Sequence, residues 1–122
     1  MFVADKTIEI DLPFPPSANR LWRNSGGRMH ISPQYALWKK EAGYQILAQR
    51  KGGLPEGPYK ITIHAKRPDK RRRDLGNLEK AVSDLLVSVG TIPDDSNCEM
   101  ITLRWVTAGE GVYVRVEPAG VE

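Results

Sequence analysis

Cysteine is almost missing from this chain of 122 residues: Cys98 is the only one. A lone thiol excludes an internal disulfide and any zinc site built on a cysteine cluster. It is compatible with a reducing, cytoplasmic setting. No apolar run approaches the ~20 residues needed to cross a bilayer, so no membrane association is expected. The first ten residues, MFVADKTIEI, lack the basic stretch and apolar core of a secretory signal. Repeats and low-complexity tracts are absent too. What remains is one domain over residues 1–122, with room for a modest core.

The content is 40% apolar and 27% charged, ordinary for a globular protein, and the formal charge is only +3. That small excess is local. Lys66, Arg67, Lys70, Arg71, Arg72 and Arg73 crowd one short stretch, and elsewhere the signs nearly cancel. Such focus points to an anion site and not to a diffusely basic surface. The stretch continues as DLGNLEKAVSDLLVSVGTIPDD. Carboxylates therefore follow directly on the cations. Cutting a phosphodiester needs that pairing: cations bring in the polyanion, and carboxylates hold a divalent ion over the scissile phosphate.

Periodicity gives the elements around this stretch. Residues 7–12 alternate, with Ile8, Ile10 and Leu12 on one face, which predicts a strand. Residues 13–32, rich in Pro, Ser, Asn and Gly, predict a long irregular loop, by its length either functional or disordered, and its three arginines, Trp22 and His30 favour function. Ser32 and Pro33 supply a hydroxyl cap and a proline at the first helical position. Tyr35, Trp38, Ala42 and Ile46 then recur at helical spacing, Leu37 and Leu47 widen the stripe, and Gly52–Gly53 ends it. Tyr59, Ile61, Ile63 and Ala65 alternate as a second strand. A second helix starts near Asp74, carries Leu78, Val82, Leu85, Leu86 and Val89, and stops at Gly90. Ile101, Leu103 and Trp105 predict a third strand. Gly109 and Gly111 flank a hairpin turn into a fourth, Val112, Val114 and Val116. The order is β-α-β-α-β-β: an α/β or α+β domain with one mixed sheet and two main helices.

Each chemical candidate has a plainer role available. Asp74 sits where a loop hands over to a helix, so it can cap that helix, and a carboxylate held by backbone donors is also oriented for a metal. Asp94 and Asp95 follow a proline and suit a turn. Lys80 can pair with Asp84 one turn on or neutralise a phosphate oxygen. Asn77 can bond within the first helical turn or touch substrate. Asn19, Arg20, Trp22, Arg23 and Arg28 can line a DNA groove, with Trp22 as a stacking face, or form an ordinary surface loop. His30 suits a loop hydrogen bond, and Cys98 a small buried thiol.

Four segments, PPSANRLWR, GRMHIS, RRRDLGNLEKAVSDLL and VGTIPDDSNCEM, resemble in order and spacing the RusA family of Holliday junction resolvases. The resemblance runs from the proline loop through the last strands. It implies a small homodimer that binds four-way DNA junctions and makes paired, Mg²⁺- or Mn²⁺-dependent nicks. It places the first metal-binding aspartate on Asp74, the catalytic lysine on Lys80 and the late aspartate on Asp95, with Asp94 beside it. Arg73 falls on the basic position before the first acid, and Asn77 on the motif asparagine. Lys66, Arg67, Lys70, Arg71 and Arg72 complete the expected DNA contacts.

One departure stands out. The family motif has a second acid where this chain has Gly76, and glycine supplies neither charge nor an oxygen ligand. Another acid, Asp94 or Asp69, can stand in, whereas Asp84 lies two to three turns down the helix. Otherwise metal binding weakens, and the chain becomes a junction-binding relative with impaired or no cleavage.

Overall fold

The computed structural model describes residues 7–16, 22–25, 28–49 and 57–119. Four strands form a mixed sheet in the order β1-β6-β4-β5, and two more form a separate antiparallel pair, β2-β3. The strands are β1 (Ile8–Leu12), β2 (Trp22–Ser25), β3 (Arg28–Ile31), β4 (Tyr59–Lys66), β5 (Cys98–Val106) and β6 (Val112–Pro118). The helices are α1 (Pro33–Gln49) and α2 (Leu75–Ser88), and a 3₁₀ turn spans Asp95–Asn97. The fold is α+β, as expected.

Alternation decides which face of the sheet is dry. Ile8, Ile10, Leu12, Ile61, Ile63, Ala65, Val112, Val114 and Val116 are each 3% exposed or less. They join Tyr35, Trp38, Ala42 and Ile46 of α1 and Leu78, Val82, Leu85 and Leu86 of α2 in one cluster, so both helices cover the same face. Truncating a central member such as Ile63 to alanine costs about 2–5 kcal/mol.

The helix ends follow from local chemistry. The Tyr35 amide donates to the Ser32 hydroxyl at 3.2 Å, so α1 begins at Pro33 on the predicted cap. Its far end is tied to β1 by a reciprocal pair. The Asp11 amide donates to Gln49 Oε1, and Gln49 Nε2 donates to the Asp11 carbonyl, both at 2.8 Å. Gly52 and Gly53, the predicted stop, lie outside the described residues. Helix α2 closes where Gly90 takes φ +79°, and the Thr91 amide then reaches back to the Leu86 carbonyl at 2.9 Å.

Three expectations need correction. The segment read as an irregular loop contains the β2-β3 ribbon, with Arg23 opposite His30. In the sequence, Gly26-Gly27 is the hairpin signal of this segment. Leu37 and Leu47 do not widen the buried stripe of α1; they are 56% and 58% exposed. Finally, β5 and β6 are not a hairpin. Strand β6 lies between β1 and β4, antiparallel to both, while β5 runs parallel to β4 on its other side. The connection crosses the end of β4, a span of about two strand spacings, ~10 Å. Burial explains the choice. Val112, Val114 and Val116 are fully buried and demand an interior strand, whereas Ile101 of β5 is 46% exposed and suits an edge. Gly111 makes the crossing feasible, because any Cβ there would stand 2.3 Å from the Leu12 carbonyl oxygen.

Candidate nuclease site

The basic loop is folded onto itself by one acid. Asp69 accepts the Arg71 amide at 3.0 Å, Arg71 Nε at 3.1 Å and Arg73 Nη2 at 2.8 Å. These bonds, the Arg73 one foremost, lower the Asp69 pKa to about 2. With Oδ2 held by two guanidinium groups and Oδ1 by the Arg71 amide, Asp69 is not available to replace the acid missing at position 76.

Two aromatic rings then fasten the ends of that loop. The Arg67 guanidinium carbon stands 4.4 Å from the Trp105 ring centroid, and that of Arg73 stands 5.1 Å from Phe14. Phe14 and Trp105 stack on each other with centroids 6.1 Å apart and planes 12° off parallel. The result is a continuous column, Arg67–Trp105–Phe14–Arg73. Cation–π contacts contribute about 0.5–2 kcal/mol each, and an aromatic pair adds about 0.5–1.5 kcal/mol. The Arg73 side chain is only 10% exposed as a result, while that of Arg71 is 71% exposed. Lys66, Lys70 and Arg72 are exposed. The loop also walls an open groove of about 570 Å³, opposite Pro13, Pro15 and Pro16, and this groove accounts for exposed Leu37 on its rim.

Asp74 follows immediately. It caps α2: its extended backbone (φ −100°, ψ 120°) turns Oδ1 onto the Gly76 amide at 2.8 Å. The cap fixes the carboxylate without enclosing it, since Asp74 is exposed. A Cβ added at Gly76 would sit 3.2 Å from that same oxygen, so position 76 is where a neighbouring acid would project. Asn77 and Lys80 are exposed in the first turns of α2. Among the described residues, no ion pair joins Lys80 to Asp84.

The late acids stand before β5. Asp94 caps the 3₁₀ turn, with Oδ1 accepting the Ser96 amide at 3.0 Å, and this bond lowers its pKa. Asp95 is exposed in the turn itself. Sequence reasoning missed Glu79. Its charge and that of Asp95 both act on Tyr59 and Cys98, and its Oε2 accepts the Ser83 hydroxyl at 2.5 Å. The Tyr59 hydroxyl is buried against the Cys98 thiol, and burial raises its pKa most. Cys98 is half-buried and donates to the Met100 carbonyl at 3.5 Å. Only the i,i+3 step from Gly76 to Glu79 would have flagged this acid.

Among the described residues, no three His, Cys, Asp or Glu side chains are grouped to hold a metal ion. The carboxylates present are hard oxygen donors, and the Asp74 carboxylate is anchored. That suits Mg²⁺, which commonly takes one or two protein carboxylates and completes its shell with water and substrate phosphates. It does not suit a cation that needs a full protein cage. Of the remaining predicted contacts, Asn19 and Arg20 lie outside the described residues, and Arg23 is placed by its backbone in β2.

A small α+β domain whose basic loop runs straight into a backbone-held carboxylate, Asp74, has the makings of a phosphodiester-cutting enzyme. A family model described as endodeoxyribonuclease RusA matches residues 13–117. The chain is 42% identical over 91 residues to the crossover junction endodeoxyribonuclease RusA of Escherichia coli strain K12, covering 74% of this chain and 75% of that one. It is 40% identical over 94 residues to the protein of that name from Enterobacteria phage 82, with the same coverage. This chain belongs to the RusA family of endodeoxyribonucleases. Among the described residues, no helix is long and apolar enough to cross a membrane.

Proposed function

We propose that this chain resolves four-way DNA junctions in the cytoplasm by paired, divalent-metal-dependent nicks, acting as a homodimer. The observation that carries the reading is the placement of a backbone-held carboxylate, Asp74, directly after a loop whose Lys70 and Arg72 point to solvent. Phosphates dock on Lys66, Lys70, Arg71 and Arg72, contacts that position the strand without reading its sequence. Asp74 and Asp95, with Asp94 beside the latter, would hold Mg²⁺ or Mn²⁺. When bound, such a cation polarises the phosphoryl oxygen and lowers the pKa of coordinated water. Lys80, exposed one turn beyond Gly76 on α2, neutralises charge developing on the phosphate. Asn77 reaches the sugar–phosphate backbone from the first turn of the same helix.

A two-fold dimer presents two such sites to strands of like polarity, which makes the nicks symmetric. The exposed apolar residues of α1 (Leu37, Tyr44, Leu47) and of edge strand β5 (Met100, Ile101) are available for that contact. The test is nicking of a synthetic mobile four-way junction in Mg²⁺ and then Mn²⁺, beside a linear duplex of the same sequence. Symmetric nicks in the junction alone support the proposal. Junction binding without nicks in either metal would overturn it in favour of a binding protein.

A further inference from the structure

Two arginines of the basic loop lie against aromatic rings, and one of them, Arg73, is turned inward. Arg73 is stacked on Phe14 and paired to Asp69, and Arg67 is stacked on Trp105. The two arginines bracket the loop, one at each end, and the two rings touch. Arg73 Nε is buried and finds no hydrogen-bond acceptor, so the ring contact and the Asp69 bond hold this side chain. Asp74 is the next residue.

We infer that Phe14 and Trp105 are positioning residues for the DNA-cutting loop: their stacked rings pin Arg67 and Arg73, which sets the path of residues 68–72 and the entry to the Asp74 cap. On this account the loop divides its cations by role. Arg67 and Arg73 are fasteners, and Lys70 and Arg72 are the free charges they present. Asp69 sits at the centre and ties Arg71 to Arg73. Phe14 comes from the segment after β1, and Trp105 from the far end of edge strand β5. The column therefore joins both ends of the loop to two separate parts of the domain. A loop held at two points keeps its free cations in one fixed arrangement beside Asp74, where an unheld loop would lose that geometry to chain entropy. The inference deepens the proposed function and takes its DNA from that reading, but its first test needs no DNA.

The experiment measures backbone order by ¹⁵N relaxation in the full chain, comparing wild type with Phe14→Leu, Trp105→Leu and the ring-keeping Phe14→Tyr. Leucine retains apolar bulk and removes the ring face. The expected result is that order parameters of residues 68–73 fall from about 0.85 to below about 0.6 in the leucine variants, while residues 61–65 of β4 stay rigid. Phe14→Tyr should restore the loop. Junction cleavage follows as a second readout. At saturating junction, Phe14→Leu should nick about tenfold more slowly, because a misplaced site loses orientation. The dependence of its affinity on salt should be unchanged, because the phosphate contacts are intact. A loop as rigid in both leucine variants as in wild type would overturn the inference. So would equal loosening of β4, which would make the rings mere core filling. A loop that loosens as expected in a chain that nicks no junction would sustain the inference and defeat the nuclease reading.

Discussion

Asp74 Oδ1 accepts the Gly76 amide at 2.8 Å, and that oxygen is also the atom nearest to any Cβ placed on residue 76. The cap and the missing acid thus share one point in space. Gly76→Asp should set a second carboxylate beside the first. Without a cation the two repel, and one pKa rises. With a cation they share the charge, so Mn²⁺ should bind at least about tenfold more tightly, read by calorimetric titration. The gain in melting temperature on adding Mg²⁺ should grow in parallel. Unchanged affinity would place the cation away from residue 76.

Asp74 can be tested for its two roles separately. Asparagine is as good a helix cap as aspartate, whereas alanine loses the cap at about 0.5–2 kcal/mol. Asp74→Asn should keep the melting temperature and junction affinity and abolish nicking. Asp74→Ala should lose nicking and stability together. If the asparagine variant nicks at the wild-type rate, Asp74 is a cap and nothing more.

Asp69 makes stability depend on pH. Its pKa is lowered from the ordinary 3.8 to about 2 by the Arg73 and Arg71 bonds. A carboxyl with a depressed folded-state pKa adds stability above its unfolded value and loses it as pH falls toward the folded one. Asp69→Asn should therefore melt below wild type at pH 7. The gap should close between pH 4 and pH 2, measured by thermal melts across that range. A gap that stays constant with pH would assign the effect to shape and not to charge.

The exposed cations should report on phosphate contacts. Each one neutralised contributes about 0.9 to the slope of log affinity against log salt. Lys70→Ala with Arg72→Ala should lower that slope by nearly two units, measured by junction binding at several salt concentrations. An unmoved slope would take both side chains out of the DNA interface.

Much of the fold was legible because burial follows period. The alternation in Ile8-Ile10-Leu12 and in Ile61-Ile63-Ala65, and the helical stripes of Tyr35-Trp38-Ala42-Ile46 and Leu78-Val82-Leu85, all describe faces that do become buried. Ser32 and Asp74 announced their helices for the same local reason: a side-chain oxygen near free amides. The β2-β3 ribbon was hidden by polar composition. The exposure of Leu37 and Leu47 was hidden because a helix pattern does not say how much of its width the neighbours cover. At the site, the basic run and its acids could be read residue by residue, but which cations are free could not.

By itself the sequence determined the elements, their caps and the adjacency of charge and carboxylate, since these depend on residues within a few positions of one another. Only the tertiary structure decided that β6 enters the middle of the sheet, that Phe14 meets Trp105 across 91 positions of chain, and that Arg73 turns inward while Arg72 does not. Those outcomes depend on competition for buried surface among segments far apart in the chain, a competition settled only when all of them pack at once.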